Sequence, residues 1–164
     1  MSLAAKASAG IGGFLILSSV VFAQGLVTQR NLSLALAKTI AEATLAECKS
    51  KGFNTAAAVV DRAGQVLVIL RDEQGTAQMA EMARRKAYTA RMFRTPTSEF
   101  QKRTASDPSL LPQRDVQDIL ALGGGVPIQV GSDTIGGVGS SGSSQETDES
   151  CAKAGLAKVA DMLK

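Results

Sequence analysis

Two pairs of short β-type runs, each joined by a turn that contains glycine, constrain the fold of this chain more than any other feature. The first pair occupies residues 56–61 and 65–71, and the second occupies residues 126–130 and 134–139. Strands separated by so few residues pair as hairpins, so these runs predict an antiparallel sheet. A further apolar run at residues 119–122 ends at a run of glycines and predicts a fifth strand.

Helical periodicity describes the segments around these strands. Apolar residues recur every three or four positions in residues 32–51 and 76–94, which predicts two helices. Ser143 and Glu146 have the spacing of a capping box and predict the start of a last helix. The element order α-ββ-α-β-ββ-α predicts one domain at residues 24–164 of the α/β (α+β) class, with helices packed on the sheet.

Two segments are expected to lack long regular elements. Residues 97–114 are polar and contain proline, which predicts a connection with one helical turn around Phe100. Residues 136–144 are rich in glycine and serine and predict a loop before the last helix. The freed N–H groups of such a loop, together with the helix dipole, can bind an anion. The alternative for these glycines is close packing of a strand against a helix.

The first 23 residues have the pattern of a secretory signal peptide. Lys6 precedes an apolar run at residues 11–21, and Val21 and Ala23 are the small residues of a cleavage site. The run is too short to cross a hydrocarbon core of about 30 Å, so no stable membrane span is expected after cleavage. We therefore expect a periplasmic or secreted bacterial protein.

An oxidising compartment would allow the two cysteines of the chain to pair. Cys48 and Cys151 each lie on a predicted helix. Nothing in the sequence shows whether these helices meet, so the disulfide remains open at this point.

The chain contains no histidine, which excludes several classes of function. Ser-His-Asp and Cys-His catalysis and HExxH zinc sites all need an imidazole. No metal site is predicted. Aromatic residues make up 4 % of the chain, and the net charge is +3. These values provide neither a base-stacking platform nor a strongly basic surface, so no nucleic-acid partner is expected.

Lys86 lies in the middle of an apolar face of the second predicted helix. At 100° per residue, Met82 and Thr89 fall within about 60° of it. A buried ammonium costs several kcal/mol unless it is paired or reaches a wet cavity. Lys86 is therefore a member of an ion pair, a snorkelling side chain, or part of a pocket for an anionic ligand. Asp148, in the first turn of the last helix, is either its partner or a residue that stabilises the helix dipole.

Arg71 is the second cation with an open role. It ends the strand predicted at residues 65–71, where its guanidinium can bind a carboxylate or a phosphate. The alternative is an exposed charge at a strand end, paired with Asp72 or Glu73. Together with Lys86 and the glycine-rich loop, Arg71 forms a candidate anion site.

Four segments follow one another in a fixed order: VVDRAGQVLVILRDEQG (59–75), ARRKAYTARMFRTPT (83–97), LGGGVPIQVGSDTIGGVGSSG (122–142) and ETDESCAKAG (146–155). Together they resemble the GlcG/HbpS family of haem-binding and haem-binding-like proteins, which is related to the C-terminal domain of PduO-type proteins. The resemblance implies a profilin-like fold, with a five-stranded antiparallel sheet flanked by helices, and a homo-oligomer with clefts near subunit contacts. It also implies that the cleft is lined by Arg71, Lys86, Thr89, Gly124, Gly125, Pro127, Gly139, Ser140, Ser141 and Gly142.

Some exported members of this family bind haem, so the resemblance implies haem as a cofactor. Because the chain has no histidine, another side chain must ligate the iron. Thr89 is the first candidate from its motif position, followed by Met82 or Met79. The haem propionates, or the carboxylates of a smaller ligand, would pair with Lys86 or Arg71.

These observations lead to one principal hypothesis and two alternatives. The principal hypothesis is an exported protein that binds haem or a small carboxylated ligand in a cleft over the sheet, with haem or redox sensing as its role. The first alternative is an enzyme that acts on a small organic acid through a desolvated Lys86 as base or nucleophile. No second catalytic partner is visible, so the sequence favours binding over catalysis. The second alternative is an oligomeric structural or sensory partner without a ligand of its own.

Overall fold

The computed structural model describes residues 25–164, and the predicted leader at residues 1–23 lies outside them. The described chain is an α+β domain in which helices flank one antiparallel sheet. In chain order its elements are α1 (Leu34–Ser50), β1 (Ala56–Val60), β2 (Val66–Arg71), α2 (Ala77–Phe93), α3 (Thr97–Ser106), a 3-10 helix (Pro108–Arg114), β3 (Gly125–Val130), β4 (Asp133–Ser141), α4 (Gln145–Ala157) and a second 3-10 helix (Ala160–Met162). Across residues 25–164, no helix has both the length and the apolar character needed to cross a bilayer.

The sheet has the strand order β2-β1-β4-β3, and every neighbouring pair is antiparallel. The two predicted hairpins, β1–β2 and β3–β4, are confirmed. They join through the central pair β1–β4, in which Ala56 lies opposite Ser141. Pro127 lies in the edge strand β3, where its missing N–H does not interrupt a ladder on both sides.

Helices cover both faces of this sheet because alternate residues of β1 point to opposite sides. One face packs against α1 and α4, and its fully buried residues include Ile40, Val59, Ile128, Val138 and Ala152. The opposite face packs against α2 through Ala56, Ala58, Val60, Ala83 and Ala87. The small side chains on the α2 side allow that helix to lie close to the sheet.

A disulfide between Cys48 and Cys151 joins α1 to α4, with a Cα–Cα distance of 5.5 Å. The pairing that the sequence left open is therefore formed. Gly155 of α4 lies so close to α1 that a Cβ there would collide with the hydroxyl of Thr44 and stand 2.8 Å from the carbonyl oxygen of Ile40. The two helices thus meet at a small residue beside the covalent bond.

The sheet has four strands within residues 25–164, so the prediction of five strands is wrong. The segment at residues 119–122 forms no strand because α2 takes its backbone groups. The Leu120 N–H donates to Thr89 Oγ1 at 2.8 Å, and the Arg85 guanidinium donates to the Ile119 carbonyl at 2.6 Å. These bonds hold the segment against the helix instead of a neighbouring strand.

Three further predictions change in the second half of the chain. The glycine-rich loop expected at residues 136–144 is regular β4 as far as Ser141. The N-cap of α4 is Ser144, whose hydroxyl accepts from the Thr147 N–H, and not Ser143. The connection at residues 97–114 is largely helical, because α3 and the following 3-10 helix occupy it.

Candidate functional site

Lys86 and Asp148 form an enclosed ion pair at the end of β4. The Lys86 Nζ donates to Asp148 Oδ2 at 2.8 Å and to the Ser140 carbonyl at 3.0 Å. Only 1 % of the Lys86 side chain and 2 % of the Asp148 side chain are exposed. The other carboxylate oxygen of Asp148 accepts from the hydroxyl and the N–H of Ser143. Of the roles left open for Lys86, the structure shows the ion pair.

Burial lowers the pKa of Lys86 from its ordinary value of 10.5, and the nearby Asp148 carboxylate opposes that shift. Gly124 closes the space above the ammonium. It has φ 122°, and a Cβ at this position would lie 2.8 Å from the Lys86 Nζ. Within residues 25–164, the ammonium is therefore enclosed by the protein in this conformation.

Thr89 is also buried, and its hydroxyl is fully engaged. Its Oγ1 donates to the Arg85 carbonyl at 2.8 Å and accepts from the Leu120 N–H at the same distance. This arrangement fastens the segment around Leu120 to α2. A ligand can reach Thr89 only after that segment has moved away.

Arg71 is exposed and fastens a turn. Its guanidinium donates to the carbonyl oxygens of Gly75 and Asp72. Asp72 pairs with Lys49 at 2.9 Å, and Glu73 lies 3.7 Å from the same ammonium. The alternative pairing of Arg71 with Asp72 or Glu73 is absent from the described salt bridges. Arg71, Ala56 and Ser141 form one row across the sheet, which places Arg71 about 10 Å from Ser141.

The glycines predicted to line an anion site instead allow α2 to approach the sheet. A Cβ on Gly139 would collide with the carbonyl oxygen of Ala83, and a Cβ on Gly125 would collide with that of Lys86. The Gly125 N–H donates to Thr97 Oγ1 at 2.8 Å. Gly142 has φ 143° and lies against Asn54 and Thr55. These contacts correspond to the close strand–helix packing that was the alternative interpretation.

Met82 differs from the other predicted residues because it is half-buried and its sulfur takes part in none of the hydrogen bonds found in residues 25–164. The sulfur of Met79, in contrast, accepts the Thr76 N–H at 3.4 Å at the start of α2. The structure therefore brings Lys86, Gly124 and Ser140 into contact, and leaves Arg71 and Met82 outside that cluster.

Sequence reasoning missed two polar clefts. One has a volume of about 480 Å³ between α3 and α4, and its lining includes Glu99, Lys102, Glu146, Glu149 and Lys153. The other has a volume of about 360 Å³ beside the β1–β2 turn and includes Arg62 and Arg91. Helical periodicity places Arg91 off the apolar stripe. That pattern does not indicate that Gln29 and Asn31, from a distant part of the chain, lie beside it. No group of three potential metal-ligating side chains occurs within residues 25–164.

The structure defines an α+β domain with an enclosed ion pair, and comparison with known proteins gives its family. The family model described as "Haem degrading protein HbpS-like" matches residues 32–157. The chain belongs to this HbpS-like family.

Several relatives support this assignment. An uncharacterized 15.0 kDa protein from the dhaT-dhaS intergenic region of Citrobacter freundii is 32 % identical over 127 residues, which cover 76 % of this chain and 89 % of the relative. The crystal structure of HbpS is 36 % identical with a TM-score of 0.77, covering 81 % of this chain and 93 % of that one. The PduOC:Heme complex is 26 % identical with a TM-score of 0.70, covering 77 % and 94 %.

Proposed function

We propose that this chain binds haem or a closely related tetrapyrrole. The observation that carries the proposal is its similarity to the PduOC:Heme complex over 94 % of that chain. The family description, which names haem as the molecule acted upon, supports the same ligand class. The hypothesis of a lysine-dependent enzyme has no comparable support, because Lys86 is enclosed.

Met82 is the side chain that we propose would hold the haem iron. A thioether is an established haem ligand, and no histidine is available in this chain. The Thr89 hydroxyl already makes two hydrogen bonds, and the Met79 sulfur accepts the Thr76 N–H. Met82 therefore offers a ligand atom without breaking a contact within the described protomer.

A haemin titration of the purified protein tests this function. We expect a saturable shift of the Soret band, and the absence of any such shift would overturn haem binding. Met82→Leu preserves side-chain volume and removes the sulfur, so it should change the spectrum of the bound haem while leaving stability nearly unaltered. Met79→Leu is the matched control and should retain the spectrum. If Thr89→Val changes the spectrum of the bound haem and Met82→Leu does not, Thr89 and not Met82 is the ligand.

The same titration should be followed over time with a reductant and with peroxide, because the family is described as haem-degrading. A Soret band that forms and persists would identify a binding protein. A band that forms and then decays only in the presence of the protein would identify turnover of the bound haem.

We also propose that the protein is exported and that its mature chain begins at Gln24. The leader pattern at residues 1–23 supports this, as does the Cys48–Cys151 disulfide, since such bonds persist in oxidising compartments. Intact mass measurement of protein from the periplasmic and cytoplasmic fractions tests it. A periplasmic species that starts at Gln24 is expected, and an uncleaved cytoplasmic species would contradict export.

A homo-oligomer is the assembly we propose. Val66 and Ile69, on the edge strand β2, have 43 % and 39 % of their surface exposed and present an apolar area that a second copy can cover. Native mass spectrometry should show an oligomer that Val66→Lys disrupts. Met162→Lys changes an equally apolar but C-terminal exposed position and should leave the oligomer intact. A monomeric wild-type protein would exclude this assembly.

A further inference from the structure

A small cleft lies where the N-terminal segment of the described chain meets the β1–β2 turn and the C-terminal part of α2. Its volume is about 360 Å³, and it is lined by Gln29, Asn31, Arg62, Ala63 and Arg91. This volume suits a small polar ligand better than a tetrapyrrole, whose planar ring needs a long apolar slot. The cleft shares no residue with the Lys86 cluster or with Met82.

Arg62 is fixed in this cleft, and most of its hydrogen-bond donors are already used. Its guanidinium makes two contacts with the Asp133 carboxylate and donates through Nε to the Arg30 carbonyl at 2.7 Å. The carboxamide oxygen of Asn31 accepts the N–H groups of Leu32 and Arg62. These bonds hold the Asn31 side chain in place. Its NH2 group donates none of the hydrogen bonds found in residues 25–164 and can donate to a ligand.

Arg91 has the opposite status. Its Nε atom is buried and has no hydrogen-bond partner within residues 25–164. Its stem lies over β4, where a Cβ on Gly137 would be 3.2 Å from the Arg91 Cβ. A buried guanidinium N–H without an acceptor is costly. Arg91 lines the cleft, and its guanidinium donates none of the hydrogen bonds found in residues 25–164, so an oxygen ligand in the cleft would supply an acceptor that the protein does not.

The surroundings of Arg91 carry an excess of positive charge. Burial lowers the pKa of Arg91, and the neighbouring guanidinium groups of Arg62 and Arg94 lower it further. Asp133 is occupied by Arg62, and the Asp61 carboxylate accepts the N–H groups of Ala63 and Gln65 at the hairpin turn. Neither carboxylate therefore neutralises Arg91 through a direct contact among the described salt bridges.

We propose that this cleft binds a small oxyanion, a phosphate or a carboxylate, with Arg91 as the charged donor and Asn31 as a second donor. Guanidinium groups match the geometry of both anions through paired N–H donors. The proposal does not depend on haem binding, because it concerns a different surface and a different ligand class.

Titration with sodium phosphate and, separately, with sodium succinate tests the site, with sodium chloride at matched ionic strength as the reference. We expect a saturable shift of the Arg91 Nε–Hε NMR resonance and a rise in Tm for at least one of the two anions. A response to phosphate alone identifies a phosphate site, and a response to succinate alone identifies a carboxylate site. Equal behaviour in all three salts would overturn the proposal.

Arg91→Met keeps the length of the stem and removes the charge, so it should lower the affinity for the anion about tenfold or more. Arg94→Met removes the same charge from an exposed residue that does not line the cleft. It should lower the affinity for the anion by less than about threefold. Equal losses in both variants would show a diffuse charge effect and overturn the assigned site. Haemin binding measured on Arg91→Met separates this result from the proposed function, since that variant should retain the Soret shift.

Discussion

The Lys86 ammonium and the Asp148 carboxylate lie 2.8 Å apart and join two helices that pack on opposite faces of the sheet. Lys86 belongs to α2, and Asp148 lies in the first turn of α4. The pair meets at the end of β4, where the Ser140 carbonyl accepts a second bond from the ammonium. The two outer layers of the domain are therefore connected by an enclosed polar contact.

Loss of either member of this pair should be strongly destabilising. Lys86→Met leaves the Asp148 carboxylate buried without its counter-charge, and we expect a loss of about 3–5 kcal/mol in the free energy of unfolding. Urea denaturation measures it. The double variant Lys86→Met/Asp148→Asn should lose clearly less than the sum of the two single variants. Additive losses would show that the two groups do not interact.

Acid should weaken the contact between Arg62 and Asp133. Hydrogen bonding from Arg62 holds the pKa of Asp133 below its ordinary value of 3.8. The unfolded chain therefore binds this proton more readily than the folded chain, so the stabilisation is complete above the unfolded value and is lost as the pH falls through the lower folded value. Urea midpoints measured across this acidic range should fall more steeply for the wild type than for Asp133→Asn. Asp161→Asn, at a position with 93 % exposure, should follow the wild-type profile.

Gly139→Ala tests the close approach of α2 to β4. A Cβ at this position would collide with the Ala83 carbonyl, so we expect a loss of about 1–3 kcal/mol or more on chemical denaturation. Gly25→Ala is the control, because nothing lies within 4 Å of a Cβ there. A glycine in a strand otherwise costs stability relative to alanine, so a stabilised Gly139→Ala variant would refute the packing explanation.

Reduction should expose how much the domain depends on the Cys48–Cys151 bond. The bond closes a sequence separation of 103 residues, for which loop-closure entropy predicts a stabilisation of about 4–5 kcal/mol. Denaturation with and without a reductant measures this difference. Cys48→Ala/Cys151→Ala should match the reduced wild type and should not respond to the reductant. Equal stability of the oxidised and reduced wild type would contradict the prediction.

Local sequence signals predicted the elements whose contacts are local. The hairpins follow from short turns, and α2 from the periodicity that also placed Lys86 on a buried face. The partner of Lys86 stayed open because Asp148 is 62 residues away, and no periodic pattern reports such a distance. The same limit applies to the pairing of Cys48 with Cys151.

The errors arose where tertiary contacts override local preference. Residues 119–122 are apolar enough for a strand, but Thr89 and Arg85 bind their backbone groups. The glycines of β4 predicted a loop, with close packing as the alternative, and residues such as Gly139 are small because a helix lies directly upon them. Most of the site residues predicted from the family resemblance lie where α2 packs against the sheet. Sequence patterns alone do not show that this packing encloses them.

The position of α4 has a consequence for the order in which the domain can be completed during synthesis. This helix is the last α-helix in the described chain, and it supplies Asp148, Cys151 and Gly155. All four strands and α2 precede these groups in the chain and are therefore synthesised first. Lys86 therefore lacks its counter-ion, and Cys48 its disulfide partner, until α4 has been made and packs against the rest of the domain.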